Sequence, residues 1–228
     1  MRTMKTKKSI LLAILSFAIS LVAQSTSALV TEPFTSAERE EIYAQTIEKR
    51  ATNILGALAL NDADKTGRVR DAIKAQYRSL RARDEALDTM FATLAKNAPG
   101  VESNRGAVVN VLSKQLHEQF ISKLSAELTP AQVEAVKDKM TYNKVQVTYE
   151  AYCQIVPKLT DGEKAKILEQ LKIAREEAID GGSADEKTAI FQRYKDQINT
   201  MLNANGHNVS QATKEWEAKQ EAKTSAPK

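Results

Sequence analysis

The stretch that decides the fold is residues 128–159, LTPAQVEAVKDKMTYNKVQVTYEAYCQIVPKL. It begins with Thr129, whose hydroxyl is placed to accept from the backbone N–H three residues later, and Pro130 follows at the first helical position. Gln132 is spaced to reach back to the start, as in a capping box. Pro157 marks the other end. These signals predict one helix that runs through the whole stretch.

The predicted helix carries two apolar stripes on nearly opposite sides, at about 100° of rotation per residue. The first stripe comprises Val133, Val136, Met140, Val147 and Ala151. The second comprises Tyr142, Val145, Tyr149, Tyr152 and Val156. A helix that is apolar on two sides either lies between neighbouring helices or contacts something else, so we expect this one to be central to a larger helical assembly.

The first 25 residues have the features of a signal peptide. Four basic residues precede an apolar run from Ile10 to Val22, and small residues follow that run. The run is shorter than the ~20 residues that a membrane-spanning helix needs. We therefore expect cleavage after Ser25, or one to three residues away from it, and an exported, soluble chain, periplasmic or extracellular, with no membrane span.

Removal of this segment changes the charge balance. It contains four of the 33 basic residues and none of the 29 acidic ones, so the mature chain has 29 of each. A balanced chain gives no compositional support for binding to nucleic acid or to an anionic membrane. Cys153 is the single cysteine, and we expect it to be an inert thiol packed beside the tyrosine stripe.

Helical periodicity and capping signals recur through the rest of the mature chain. Besides the central helix, the pattern predicts helices at about 35–60, 68–96, 105–127, 160–178 and 183–204, with a short polar helix around Trp216. Strand-like alternation is confined to residues 145–149, inside the longer helical pattern. The predicted fold class is all-α: a single-domain bundle of about six helices with short connections over residues 26–223, after the signal peptide 1–25 and before a disordered tail, 224–228.

Few residues point to catalysis or metal binding. The segment from Asn61 to Gly67 resembles the start of a calcium loop, but Ile73 stands where a bidentate glutamate is needed, so we interpret it as a polar connection. Asp84 is expected at a solvated rim and His117 in a structural role. We assign no catalytic residue, no metal ligand and no cofactor, and a non-catalytic role is favoured over an enzyme.

The candidate binding residues lie along the tyrosine stripe of the central helix. Tyr142, Tyr149 and Tyr152 would offer apolar faces to sugar C–H groups. Gln146 and Glu150 would add hydrogen bonds. The alternative is that the tyrosines pack in the core of a helix buried between two neighbours.

Several short motifs carry a resemblance to a known family. They are Arg68-Val69-Arg70-Asp71-Ala72-Ile73 with Gln76-Tyr77-Arg78, Met140-Thr141-Tyr142 with Thr148-Tyr149 and Tyr152, Leu159-Thr160, and Lys214-Glu215-Trp216. Through them the mature chain resembles a family of exported bacterial helical proteins that is classed as a domain of unknown function and described as sugar-binding. The resemblance implies a secreted helical domain of bacteria that degrade complex polysaccharides, and it transfers no site residue.

A narrower resemblance concerns Leu128 to Gln132, which matches the Leu-Thr-x-x-Gln signature of the Spy-type periplasmic chaperones. We expect an exported binding or accessory protein whose partner is an oligo- or polysaccharide, in the context of polysaccharide utilisation. The alternatives are a Spy-like ATP-independent periplasmic chaperone and a glycan-active enzyme with an unrecognised carboxylate pair.

Overall fold

The structure, a computed structural model, describes residues 35–96 and 105–225. These residues form eight α-helices and no strand, which confirms the all-α prediction. The helices are α1 (Ser36–Leu55), α2 (Ala63–Ala95), α3 (Arg105–Glu127), α4 (Pro130–Met140), α5 (Lys144–Ile155), α6 (Asp161–Ala178), α7 (Ala184–Ala204) and α8 (Val209–Ser225). None of these helices is long and apolar enough to cross a membrane. The predicted signal peptide lies outside the described residues.

Local sequence chemistry sets where three of these helices begin. Each starts with a capping box, in which a threonine hydroxyl accepts from the backbone N–H three residues later and the side chain at that position accepts from the threonine N–H. The pairs are Thr35 with Glu38 for α1, Thr129 with Gln132 for α4, and Thr160 with Glu163 for α6. All three starts agree with the predicted ones.

The central stretch forms two helices, so the prediction of one continuous helix was wrong. α4 ends in a Schellman motif, with the Asn143 N–H donating to the Asp138 carbonyl at 2.7 Å and the Tyr142 N–H to the Lys139 carbonyl at 3.2 Å. Tyr142 occupies the left-handed position of that motif, with φ of 59°, where glycine is usual. Neither glycine nor proline marks the break, and the apolar periodicity of the sequence runs across it without interruption. This break and α8 raise the helix count from about six to eight.

The two apolar stripes of the central stretch belong to two different cores. Val133, Val136 and Met140 of α4 pack with α1, the first half of α2 and the end of α3. Val145 and Tyr152 of α5, and Val156 directly after it, pack instead with α6, α7 and the first residue of α8. The change of direction between α4 and α5 therefore passes the chain from one core to the other. It also leaves Val147, expected on the first stripe, 52% exposed.

One buried cation joins the two cores, and another joins α6 to α7. Arg175 of α6 is 4% exposed and pairs with Glu134 and Asp138 of α4. Lys187 of α7 is buried and donates to the carbonyls of Ala178 and Ile179 at the end of α6. Burial lowers the pKa of Lys187 to about 8. These contacts hold α6 against α4 and α7 by polar as well as apolar groups.

Asp84 lies at a partly exposed position, as expected for a rim residue, and its side chain pairs with the buried guanidinium of Arg83.

α2 begins at Ala63 with Asp62 as its cap, five residues earlier than predicted. Cys153 is exposed rather than packed. α8 reaches Ser225 and so includes the first two residues of the predicted tail; residues 226–228 lie outside the described residues.

Candidate functional site

The candidate site is a cleft of about 520 Å³ formed where α5, α7 and the start of α8 meet. Its lining residues are Lys144, Val147, Thr148, Ala151, Tyr152, Ile155, Thr188, Phe191, Gln192, Lys195, Asn199, Val209 and Thr213. Three other depressions, of about 490 to 690 Å³, each follow a single helix, within residues 82–94 of α2, 44–53 of α1 and 193–201 of α7. Because ligand sites are concave and bring groups together from several elements, the cleft is the better candidate.

Lys144, the first residue of α5, occupies one end of the cleft. Its side chain is largely buried, with 9% of the residue exposed, and its Nζ donates to the Thr188 hydroxyl at 3.2 Å. The ammonium also lies over the Phe191 ring, 5.8 Å from the centroid, within range of a cation–π contact. Burial, together with the nearby charge of Lys195, lowers the pKa of Lys144.

Tyr152 and Asn199 form the polar part of the cleft wall. Tyr152 is 6% exposed, and its hydroxyl donates to Asn199 Oδ1 at 2.7 Å and lies 3.2 Å from the Lys195 carbonyl oxygen. Burial, with a smaller effect from Asp196, raises the pKa of the Tyr152 phenol. Since Tyr152 occupies Oδ1, Asn199 is left with its Nδ2 as a donor to the cleft.

The lining contains two lysines and no aspartate, glutamate or histidine. Lys195 is half-exposed, and its Nζ donates to Gln192 Oε1 at 3.3 Å. Val147, Ala151 and Ile155 supply an apolar wall. The arrangement suits a ligand that has both apolar and hydrogen-bonding surface.

The structure places the five sequence-predicted site residues in four different surroundings. Tyr152 lines the cleft. Tyr149 is half-buried against the second core, and a hydrogen bond with Cys153 raises the pKa of its phenol. Gln146 is exposed and donates to Glu150, also exposed.

Tyr142 lies at the break between α4 and α5, where it is 44% exposed. Burial, with a smaller effect from Tyr142, raises the pKa of the nearby Tyr77 phenol. The predicted stripe is therefore not one surface. Tyr152 is the one member of the predicted set that lies in the cleft.

Most of the cleft was missed from the sequence because its residues come from distant positions. Asn199 and Lys195 meet α5 only through the packing of α7. One local signal was present. Lys144 stands in line with Val147 and Ile155 along one row of α5, so a lysine heads an otherwise apolar row.

A smaller pocket of about 200 Å³ lies between α3 and the junction of α6 with α7, and it contains a serine, a histidine and an aspartate. His117 Nδ1 lies 2.9 Å from Asp180 Oδ2, but its Nε2 faces Glu176 at 3.9 Å. The hydroxyl of Ser113 accepts from Arg83 at 2.7 Å. Since no described contact joins His117 to Ser113, these residues do not form a nucleophilic triad. The pairing with Asp180 fits the structural role expected of His117.

Within the described ranges no group of three or more His, Cys, Asp or Glu side chains is placed to hold a metal ion. No curated protein matches the chain. A family model described as "Protein of unknown function (DUF3826)" matches residues 44–222, which include the whole cleft and both cores. The chain belongs to this family.

Proposed function

We propose that the protein is a non-catalytic binding protein that holds an oligosaccharide in the cleft between α5, α7 and α8. The observation that carries the proposal is the convergence, on one concave surface, of an apolar wall and of polar atoms from three helices. Its volume of about 520 Å³ lies within the 300–1,000 Å³ that is usual for small-ligand sites, which suits a short oligosaccharide.

The chemistry of a sugar matches this lining. A pyranose ring presents C–H groups on its faces and hydroxyls around its edge, so it needs apolar contact and hydrogen bonds in the same site. Val147 and Ala151 on α5 offer the apolar contact. Asn199, Thr148 and Thr213 offer amide and hydroxyl groups for the edge.

The lining supports binding rather than hydrolysis. Most glycosidases use a pair of carboxylates about 5 to 10 Å apart on either side of the scissile bond. The cleft is lined by no carboxylate at all. The signal-peptide features of residues 1–25 extend the proposal to an exported protein that encounters its glycan outside the cytoplasm.

The test is a thermal-shift screen of plant and host oligosaccharides, neutral and acidic, followed by calorimetric titration of those that raise the melting temperature. We expect Asn199→Ala to reduce affinity at least tenfold, because it removes the cleft amide. Gln146→Ala, on the exposed side of α5, is the matched control and should leave affinity unchanged. Binding that is lost in Gln146→Ala and retained in Asn199→Ala would move the site to the tyrosine stripe.

A chaperone assay, which measures whether the purified protein suppresses the aggregation of a client protein, tests the alternative. If no oligosaccharide in the screen binds and the purified protein suppresses client aggregation, the oligosaccharide proposal is wrong.

A further inference from the structure

The least compensated buried cation of the described residues lies in the cleft. Arg83 and Arg175 are buried against carboxylates. Lys187 is buried against two backbone carbonyls at 2.8 and 3.2 Å. Lys144 is 9% exposed, against 2–6% for the other three, and among the described contacts its partners are one neutral hydroxyl, that of Thr188, and the face of the Phe191 ring.

The Thr188 hydroxyl compensates this charge only weakly. Its own proton is donated to the Ala184 carbonyl at 2.8 Å, so it offers Lys144 a lone pair and no charge. An ammonium has three donors, and two of them remain for another acceptor. Burial of an ammonium is costly unless an anion or several dipoles replace its water.

A second ammonium lines the same cleft and makes it more positive. Lys195 is half-exposed, and its hydrogen-bond partner Gln192 is neutral. Burial, with a smaller effect from the charge of Lys195, lowers the pKa of Lys144. Lys144 also lies in the first turn of α5, the end of a helix that carries partial positive charge. Asp196 follows Lys195 in the chain, but it accepts from Gln192 and is not part of the lining.

We propose that the cleft binds the anionic group of an acidic oligosaccharide, a carboxylate or a sulfate ester, through the ammonium groups of Lys144 and Lys195. The inference rests on the proposed function and specifies its ligand class. The anionic group accepts hydrogen bonds from both lysines, while the apolar wall and Asn199 hold the attached ring. A neutral sugar lacks the group that compensates Lys144, so the cleft selects against it.

Calorimetric titration with matched ligands tests the inference. The probes are a trigalacturonate, its methyl ester, which keeps the shape and removes the charge, and a sulfated trisaccharide. We expect the trigalacturonate or the sulfated sugar to bind at least tenfold more tightly than the ester, with an affinity that falls as salt increases. The tighter of the two identifies the anionic group. Equal affinity for all three would overturn the acidic-ligand inference and leave the proposed function standing, whereas no binding of any probe or of the wider panel would refute both.

Charge-removing variants locate the site. Lys195→Met and Lys144→Met should each lose at least tenfold in affinity for the acidic probe and less than twofold for the ester. Lys172→Met, an exposed lysine on α6, is the matched control and should change neither. Because the buried charge of Lys144 lacks an anionic partner in the free protein, Lys144→Met should also raise the melting temperature. If Lys144→Met and Lys195→Met both keep full affinity for the acidic probe, the inference is wrong.

Discussion

The substitution Arg175→Met should weaken the joint between the two cores. The guanidinium of Arg175 donates to Asp138 at 2.7 Å, to Glu176 at 3.0 Å and to Glu134. Two of these partners lie on α4, which packs in the first core, whereas Arg175 extends from α6 of the second. Methionine keeps most of the aliphatic volume, so the substitution removes the charge and its hydrogen bonds with little loss of packing.

The expected loss follows from how exposed the partners are. A hydrogen bond to a charged group contributes about 1.5–3 kcal/mol when it is buried, and an exposed ion pair about 0.2–1 kcal/mol. Arg175 is 4% exposed, but its three carboxylate partners are 37–46% exposed and regain water when it is removed. Each contact therefore contributes close to the exposed value. Methionine also removes the buried Nε, which has no partner. The net loss should be about 2 kcal/mol, or about 4–8 °C in melting temperature for a chain of this size.

Urea unfolding followed by circular dichroism measures this difference directly. Arg193→Met is the matched control, because its guanidinium is 54% exposed and pairs with Glu177 on a neighbouring helix. The control should lose less than about 0.5 kcal/mol. A loss for Arg175→Met no larger than that of Arg193→Met would refute the view that Arg175 holds the two cores together.

Three further predictions concern the break, the histidine and the cleft wall. Tyr142→Gly should stabilise the protein by about 0.5–1 kcal/mol, because glycine adopts the left-handed φ of 59° without the steric cost. The greater freedom of the unfolded chain offsets part of this gain. A lower melting temperature of the variant would contradict the prediction. The hydrogen bond with Asp180 raises the pKa of His117. The stability that His117 contributes relative to His117→Gln should therefore be fully present below pH 6.5, the ordinary pKa of histidine, and lost as pH rises through the pKa of His117 in the folded protein. A difference in unfolding free energy that does not change with pH would disprove the pairing. Tyr152→Ala should lower the free energy of unfolding by about 3–5 kcal/mol, by analogy with other buried aromatics. Tyr152→Phe should lower it by about 1 kcal/mol, for the hydroxyl bond to Asn199. Equal losses for the two variants in urea unfolding would show that the ring contributes little.

The fold class and most helix starts follow from the sequence by itself. The capping boxes at Thr35, Thr129 and Thr160 involve atoms within three residues of one another, so their geometry needs no information about the rest of the chain. Apolar periodicity likewise identifies which side of a helix is buried. These signals predicted an all-α chain and the positions of most of its helices. They also placed Asp84 at a rim and identified Tyr152 as a residue of interest.

The tertiary structure decided where the central stretch divides and what surrounds its residues. The Schellman motif at Tyr142 uses a residue that is unfavourable at that position in isolation, and packing of α4 and α5 into separate cores supplies the compensating free energy. That division separates Tyr142 from Tyr152, although the helical period placed them on one stripe. The cleft joins Lys144 to Asn199, 55 positions later in the chain, and it forms because α5 and α7 both pack against α6. Local patterns encode which side of a helix is apolar. The neighbour of that side depends on contacts between residues far apart in sequence, and those contacts bring groups from three helices together in the cleft and bury Lys144.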